Sequence, residues 1–170
     1  MSEQDNLAQT RDAIIERIKR VFPKKPKLMG KKATFEVTQS DYDPEASELK
    51  AIFKGKLWEE LLDYPDIVIY LSDIDYAGLI RDKIYLYYLP TLLVASLKEN
   101  FAWIIYSHPY ERIHRLLSLF TLDQLETLID YFEFQTVYVF AANDRFSDQM
   151  EDTILRLMMR QDEVAKEQAK

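Results

Sequence analysis

The chain contains no cysteine, two histidines and only three glycines among its 170 residues. Each shortage removes a class of function. Without cysteine there is no disulfide scaffold, no thiolate nucleophile and no cysteine-ligated zinc or iron–sulfur cluster. The histidines, His108 and His114, stand six apart, about 240° around a helix, and no third nitrogen or sulfur ligand exists to complete a zinc site. Glu111 and His114 have the i, i+3 spacing of carboxylate-bridged di-iron bundles, but His108 has Ile105 where the second glutamate would stand. With so little glycine there is no phosphate-cradling loop and no dinucleotide fingerprint, and no serine sits between glycines in a nucleophile elbow. No cofactor and no metal is implied.

Long hydrophobic runs are also missing. The longest, Ile84–Leu97, is cut by Lys98-Glu99-Asn100, short of the roughly 20 residues that a membrane span requires. The start, Met1-Ser2-Glu3-Gln4-Asp5, is too polar and acidic to open a secretory signal peptide, so a cytoplasmic protein is expected. A net charge of −7 argues against a nucleic-acid partner, since neutralising phosphates needs a basic surface.

What remains is ordinary core-forming material, 48% hydrophobic and 30% charged. The expectation is one mainly α domain over residues 6–165, with disordered residues 1–5 and a frayed tail at 166–170. It should hold six to seven helices around a central helix rich in tyrosine and leucine, with at most a small β-element. Ile14, Ile15, Ile18, Val21 and Phe22 form one stripe of a helix over Asn6–Phe22, which Pro23 stops. Residues 23–42 read as a basic, irregular linker. Asp43-Pro44-Glu45 is a helix start, with aspartate as N-cap and proline at N1. Leu49, Ile52 and Phe53 are the buried stripe of that helix. Gly55 then supplies either a positive φ or a close backbone approach.

The run at 84–97 is apolar on every side and should therefore be buried on every side. Pro90 either kinks it or starts a new helix. Ile113, Leu116, Leu117 and Phe120 give the next stripe. Thr121-Leu122-Asp123-Gln124 is a capping box, followed by Leu125, Leu128, Ile129 and Phe132 inward and Glu126, Asp130 and Glu133 outward. The last helix, Ser147–Ala165, buries Met150, Ile154, Leu157, Met158 and Val164. Short strands are conceivable at Thr34–Thr38, Ile67–Leu71, Phe101–Tyr106 and Thr136–Phe140, but none has a hairpin signal.

Three motifs occur in order. Phe53-Lys54-Gly55-Lys56-Leu57-Trp58 is an F-x-G-x-x-W pattern, and Tyr87-Tyr88-Leu89-Pro90 is a Y-Y-L-P pattern followed by a small, apolar helix. Phe120-Thr121-Leu122-Asp123-Gln124 is similar to an L-T-x-x-Q helix start. Together, over residues 8–135, they resemble a family of bacterial proteins defined only as a domain of unknown function. The resemblance implies an aromatic cluster and carries no reaction. Physically, Trp58 reads as a buried anchor whose indole N–H needs one acceptor, while Tyr87 and Tyr88 point to different sides of a helix. Core packing is the leading reading of this cluster, a groove the other.

Binding is the functional expectation, with another protein as partner and an accessory or immunity-type role. Its candidate surface joins Asp63, Asp66, Asp73 and Asp75 to Tyr64, Tyr70 and Tyr76, against the plainer reading of a solvated loop with core-facing tyrosines. Two alternatives stand beside it. Acid–base chemistry would use Glu111 and His114 next to a tyrosine. Helical geometry opposes that pair: with Ile113 inward, Glu111 lies toward solvent and His114 on a flank, titrating near 6.5. Anion binding would use Lys19, Arg20, Lys24, Lys25 and Lys27, from a stretch, Arg17–Lys32, with eight bases and no acid.

Overall fold

The computed structural model describes residues 3–24, 44–53, 55–64, 70–71, 79–98, 109–138 and 144–169. Among these the fold is all-α, with six α-helices and no strand. They are α1 (Glu3–Val21), α2 (Pro44–Phe53), α3 (Asp82–Lys98), α4 (Pro109–Leu116), α5 (Leu122–Tyr138) and α6 (Asp144–Gln168). Short 3-10 turns occur at Glu60–Asp63 and Leu117–Leu119. No helix among the described residues is long and apolar enough to cross a membrane. Helix α1 begins at Glu3 and α6 runs to Gln168, so residues 3–5 and 166–168, expected outside the helices, are helical. Two strand candidates fall in helical segments: Thr136–Tyr138 complete α5, and Tyr70 and Leu71 are helical. The candidates at Thr34–Thr38 and Phe101–Tyr106 lie outside the described residues.

Contacts divide the chain into two units, Met1–Val21 with Pro109–Lys170, and Phe22–His108. The second unit is built on α3. From Tyr87 to Leu97 every residue is buried, as its lack of a polar face requires. Pro90 lies inside this one continuous helix; having no N–H, it removes the bond to the Leu86 carbonyl without ending the helix. The buried hydroxyls of Tyr87, Tyr88, Thr91 and Ser96 on α3 donate to main-chain acceptors. Tyr88 Oη donates toward the carbonyls of Phe53 (3.2 Å) and Lys56 (2.9 Å), and Thr91 Oγ1 donates to that of Trp58 at 2.8 Å. Tyr87 Oη donates to the Lys24 carbonyl at 2.8 Å. The Phe53 and Tyr88 rings meet edge to face at 4.6 Å.

The F-x-G-x-x-W and Y-Y-L-P segments therefore form one packed cluster. Both tyrosines are buried, and Trp58 is fully buried with no acceptor for Nε1 among the described residues. Gly55 takes φ +72° just after α2, and a Cβ there would meet nothing within 4 Å. Its requirement is thus the left-handed conformation, and no close approach is involved.

In the first unit α5 is the centre, packing against both α1 and α6, while α4 packs on α6. The capping box forms as expected: Thr121 N–H donates to Gln124 Oε1 at 3.0 Å and Gln124 N–H to Thr121 Oγ1 at 3.3 Å. Gln124 Nε2 also donates to the carbonyl of Val21 at 3.4 Å, so one side chain starts α5 and satisfies a terminal carbonyl of α1. On α6 the buried line is Met150, Thr153, Leu157 and Val164, a near-heptad seam. Met158, expected inward, is 48% exposed because it lies one residue, about 100°, from Leu157 on that seam.

Candidate functional site

Helix α5 is buried on most of its circumference, leaving a narrow outer stripe at Asp123, Glu126, Asp130, Glu133 and Val137. The spacing of three, four, three and four residues keeps these positions on one side of a 3.6-residue helix. The helix carries no lysine or arginine, so the stripe holds four carboxylates and ends on an apolar residue. Arg17 of α1 answers two of them. Its guanidinium puts one arm on Glu126 and the other on Asp130, the forked geometry that arginine favours with carboxylates. Gln161 of α6 reaches the other oxygen of Glu126 at 3.4 Å, so α1, α5 and α6 are tied at one level.

Beside this clasp, α1 and α5 enclose a groove of about 470 Å³ lined by Thr10, Ala13, Ile14, Arg17, Asp130, Glu133, Phe134 and Val137. Ile14 and Phe134 form its buried floor, and Val137, 57% exposed, continues the apolar surface outward. Glu133 is exposed and forms no ion pair among the described residues. The groove thus offers apolar contact beneath a rim where two carboxylates face one already committed guanidinium. That combination suits a cationic side chain carried on an apolar segment.

The residues singled out in the sequence are placed differently. Glu111 is exposed in the first turn of α4, where a carboxylate is favoured by the helix dipole. His114 is half-buried, with Nε2 3.0 Å from Thr153 Oγ1 on α6. The Thr153 hydroxyl proton is directed to the Gln149 carbonyl at 2.7 Å, so His114 Nε2 is the donor and carries the hydrogen of the neutral ring. Burial, then the nearby Arg156 guanidinium, hold His114 below 6.5, against the pull of Asp152 and Glu111. Position on a helix flank alone predicts an ordinary value; packing against α6 and the cation that α6 carries overturn it. Neither Glu111 nor His114 lines the α1/α5 groove.

Of the acidic–aromatic surface, Asp63 and Tyr64 are exposed. Lys56 Nζ sits 3.7 Å above the Tyr64 ring and also reaches its hydroxyl. Tyr70 is half-buried and donates to Glu48 at 2.7 Å. Asp66, Asp73, Asp75 and Tyr76 lie outside the described residues. Of the basic set, Lys19 pairs with Glu16 at 2.7 Å and Lys24 with Glu59 at 3.5 Å, while Arg20 is exposed. Lys25 and Lys27 lie outside the described residues. Arg17, which opens the base-only stretch, is spent on the carboxylates of α5.

The groove was not singled out from sequence, although a signal for it is present. Between Arg115 and Arg145 the chain has five acids and no lysine or arginine, the mirror image of the stretch at 17–32. No protein family, curated protein or solved structure matches the chain in comparison.

Proposed function

We propose that this protein is a non-catalytic binding module, of accessory or immunity type, that receives a cationic amphipathic segment of another protein in the α1/α5 groove. The observation that carries the reading is the groove itself: an apolar floor of Ile14 and Phe134 beneath Asp130 and Glu133. Apolar burial supplies affinity there, while Glu133, with no ion pair among the described residues, beside Asp130, which Arg17 already holds, selects for lysine or arginine and speeds encounter. The overall charge of −7 acts in the same direction at long range.

The test is calorimetric titration with a synthetic Leu/Lys amphipathic helical peptide. Glu133→Lys and Val137→Asp should each weaken binding about tenfold, the scale of one central interface contact. Glu151→Lys, on the exposed side of α6, makes the same charge change outside the groove and should cost far less. Equal losses from Glu133→Lys and Glu151→Lys would reduce the interaction to net charge and remove the groove from the proposal.

A further inference from the structure

Six large apolar side chains are exposed among the described residues, and three of them, Leu155, Met158 and Met159, fall within five positions of α6. Leu155 and Met159 lie on the face opposite the seam of Met150, Thr153, Leu157 and Val164, with Met158 on the flank beside them, so the seam does not use them. Clustering of this kind is what distinguishes a contact surface from scattered surface apolars.

The charges around the patch indicate what covers it. Asp148, Leu155, Met159 and Lys166 are spaced seven, four and seven residues apart. Those 18 residues make five helical turns, which keeps the four side chains on one line to within about 20°. The spacing is symmetric about the level of Leu157, while the charges at its two ends are opposite. Neither Asp148 nor Lys166 forms an ion pair among the described residues, and both are exposed. A second α6 laid antiparallel, with its dyad at Leu157, sets Leu155 of one copy against Met159 of the other. It also brings Asp148 of each copy to Lys166 of the other, twice. A parallel arrangement would stack aspartate on aspartate and lysine on lysine.

We propose that the outer face of α6 pairs antiparallel with the same face of a second copy of this chain. Such a contact is isologous and closes at a dimer. Methionine suits the centre, since its flexible thioether fills irregular gaps across a dyad. The flanks carry four acids, of which two are already neutralised within the helix: Asp152 by Arg156 at 2.8 Å and Glu163 by Arg160 at 2.9 Å. Glu151 and Asp162 form no ion pair among the described residues and oppose association. Three apolar side chains also supply only part of the roughly 800 Å² per partner of a standard stable interface. The pairing is therefore weak and concentration-dependent.

Sedimentation velocity on the full chain tests this, from about 1 µM to about 500 µM, the range in which a small interface populates. Mass should rise from monomer to dimer with concentration. Leu155→Asp with Met159→Asp should lower the association constant by roughly tenfold or more by burying charge at the centre. Asp148→Lys should lower it by about three- to tenfold, because it turns two attractions into two repulsions. Adding Lys166→Asp to Asp148→Lys restores both pairs with their signs exchanged, and should restore association. All four positions are exposed, so the variants should keep the wild-type circular dichroism spectrum. A monomer at the highest concentration, a dimer insensitive to the central double variant, or a charge swap that fails to rescue would each overturn the proposal.

Discussion

Helices α3 and α5 have the same length, 17 residues, and each is the most buried element of its unit, yet they dispose of their polar groups in opposite ways. Helix α3 keeps its charges at its two ends, and the hydroxyls of Tyr87, Tyr88 and Thr91 donate to main-chain carbonyls at Lys24, Phe53, Lys56 and Trp58. Helix α5 gathers four carboxylates on one stripe and uses two of them, Glu126 and Asp130, on side chains of its neighbours, Arg17 and Gln161. The first arrangement holds an irregular segment against a core. The second joins regular helices and leaves charge at the surface. Tyr88 shows the consequence: burial, then Tyr87 and Glu60, push its hydroxyl above the ordinary range, so it remains a donor at every working pH. Stability around α3 should thus depend on volume and hydrogen bonds, and around α5 and α6 on pH and salt.

The largest expected effect tests the α3 side of that contrast. Trp58→Ala should cost about 3–5 kcal/mol, the range for emptying a buried aromatic site, measured by chemical denaturation. A midpoint unchanged within error would place the indole outside the core. Next, Tyr88→Phe keeps the ring and removes the donor shared by the Phe53 and Lys56 carbonyls. About 1 kcal/mol should be lost, since the Lys56 carbonyl loses its donor while the Phe53 carbonyl keeps the Lys56 N–H at 3.2 Å. A neutral result would mean that water takes over the bonds. Gly55→Ala should cost about 1 kcal/mol from the positive φ alone, because there is room for the methyl group, and Gly55→Asn should cost less.

On the α5 and α6 side the effects are smaller and depend on solution conditions. Arg17→Ala should cost about 1 kcal/mol at low salt, less at high salt, because Arg17, Glu126 and Asp130 are all partly exposed. A loss independent of salt would show that the packing of the arginine stem, rather than its charge, is what counts. The smallest change concerns His114. Its folded value lies below 6.5, so across that window the unfolded chain binds more protons than the folded one. Its contribution to stability is therefore present above 6.5 and lost as pH falls through 6.5 toward the lower folded value. The fall should be shallower in His114→Gln; an identical slope would assign it to other groups.

Much of this architecture can be read from spacing. The burial of Ile14, Ile15 and Ile18, the helix start at Pro44 and the capping box at Thr121 and Gln124 follow from apolar periodicity and cap chemistry, which act within a few residues. Failures occur where a residue's neighbours come from another element. Met158 and Leu157 both fit a buried stripe by spacing, on two adjacent faces, and only packing against α5 selects the one through Leu157. Thr136–Tyr138 have strand-like composition, but they continue a helix already nucleated and packed upstream.

By itself the sequence determined that the fold is mainly α, that most of the 84–97 run is buried, and that disulfides and cysteine-ligated metals have no place in it. These follow from composition and from interactions a few residues apart. Tertiary structure alone decided which carboxylates meet Arg17, that His114 faces Thr153 and Arg156, that α1 and α5 leave a groove, and that Leu155, Met158 and Met159 face outward. Each of those outcomes depends on residues as many as 113 positions apart, as Arg17 and Asp130 are. Their meeting is set by how whole helices pack, which local periodicity does not encode.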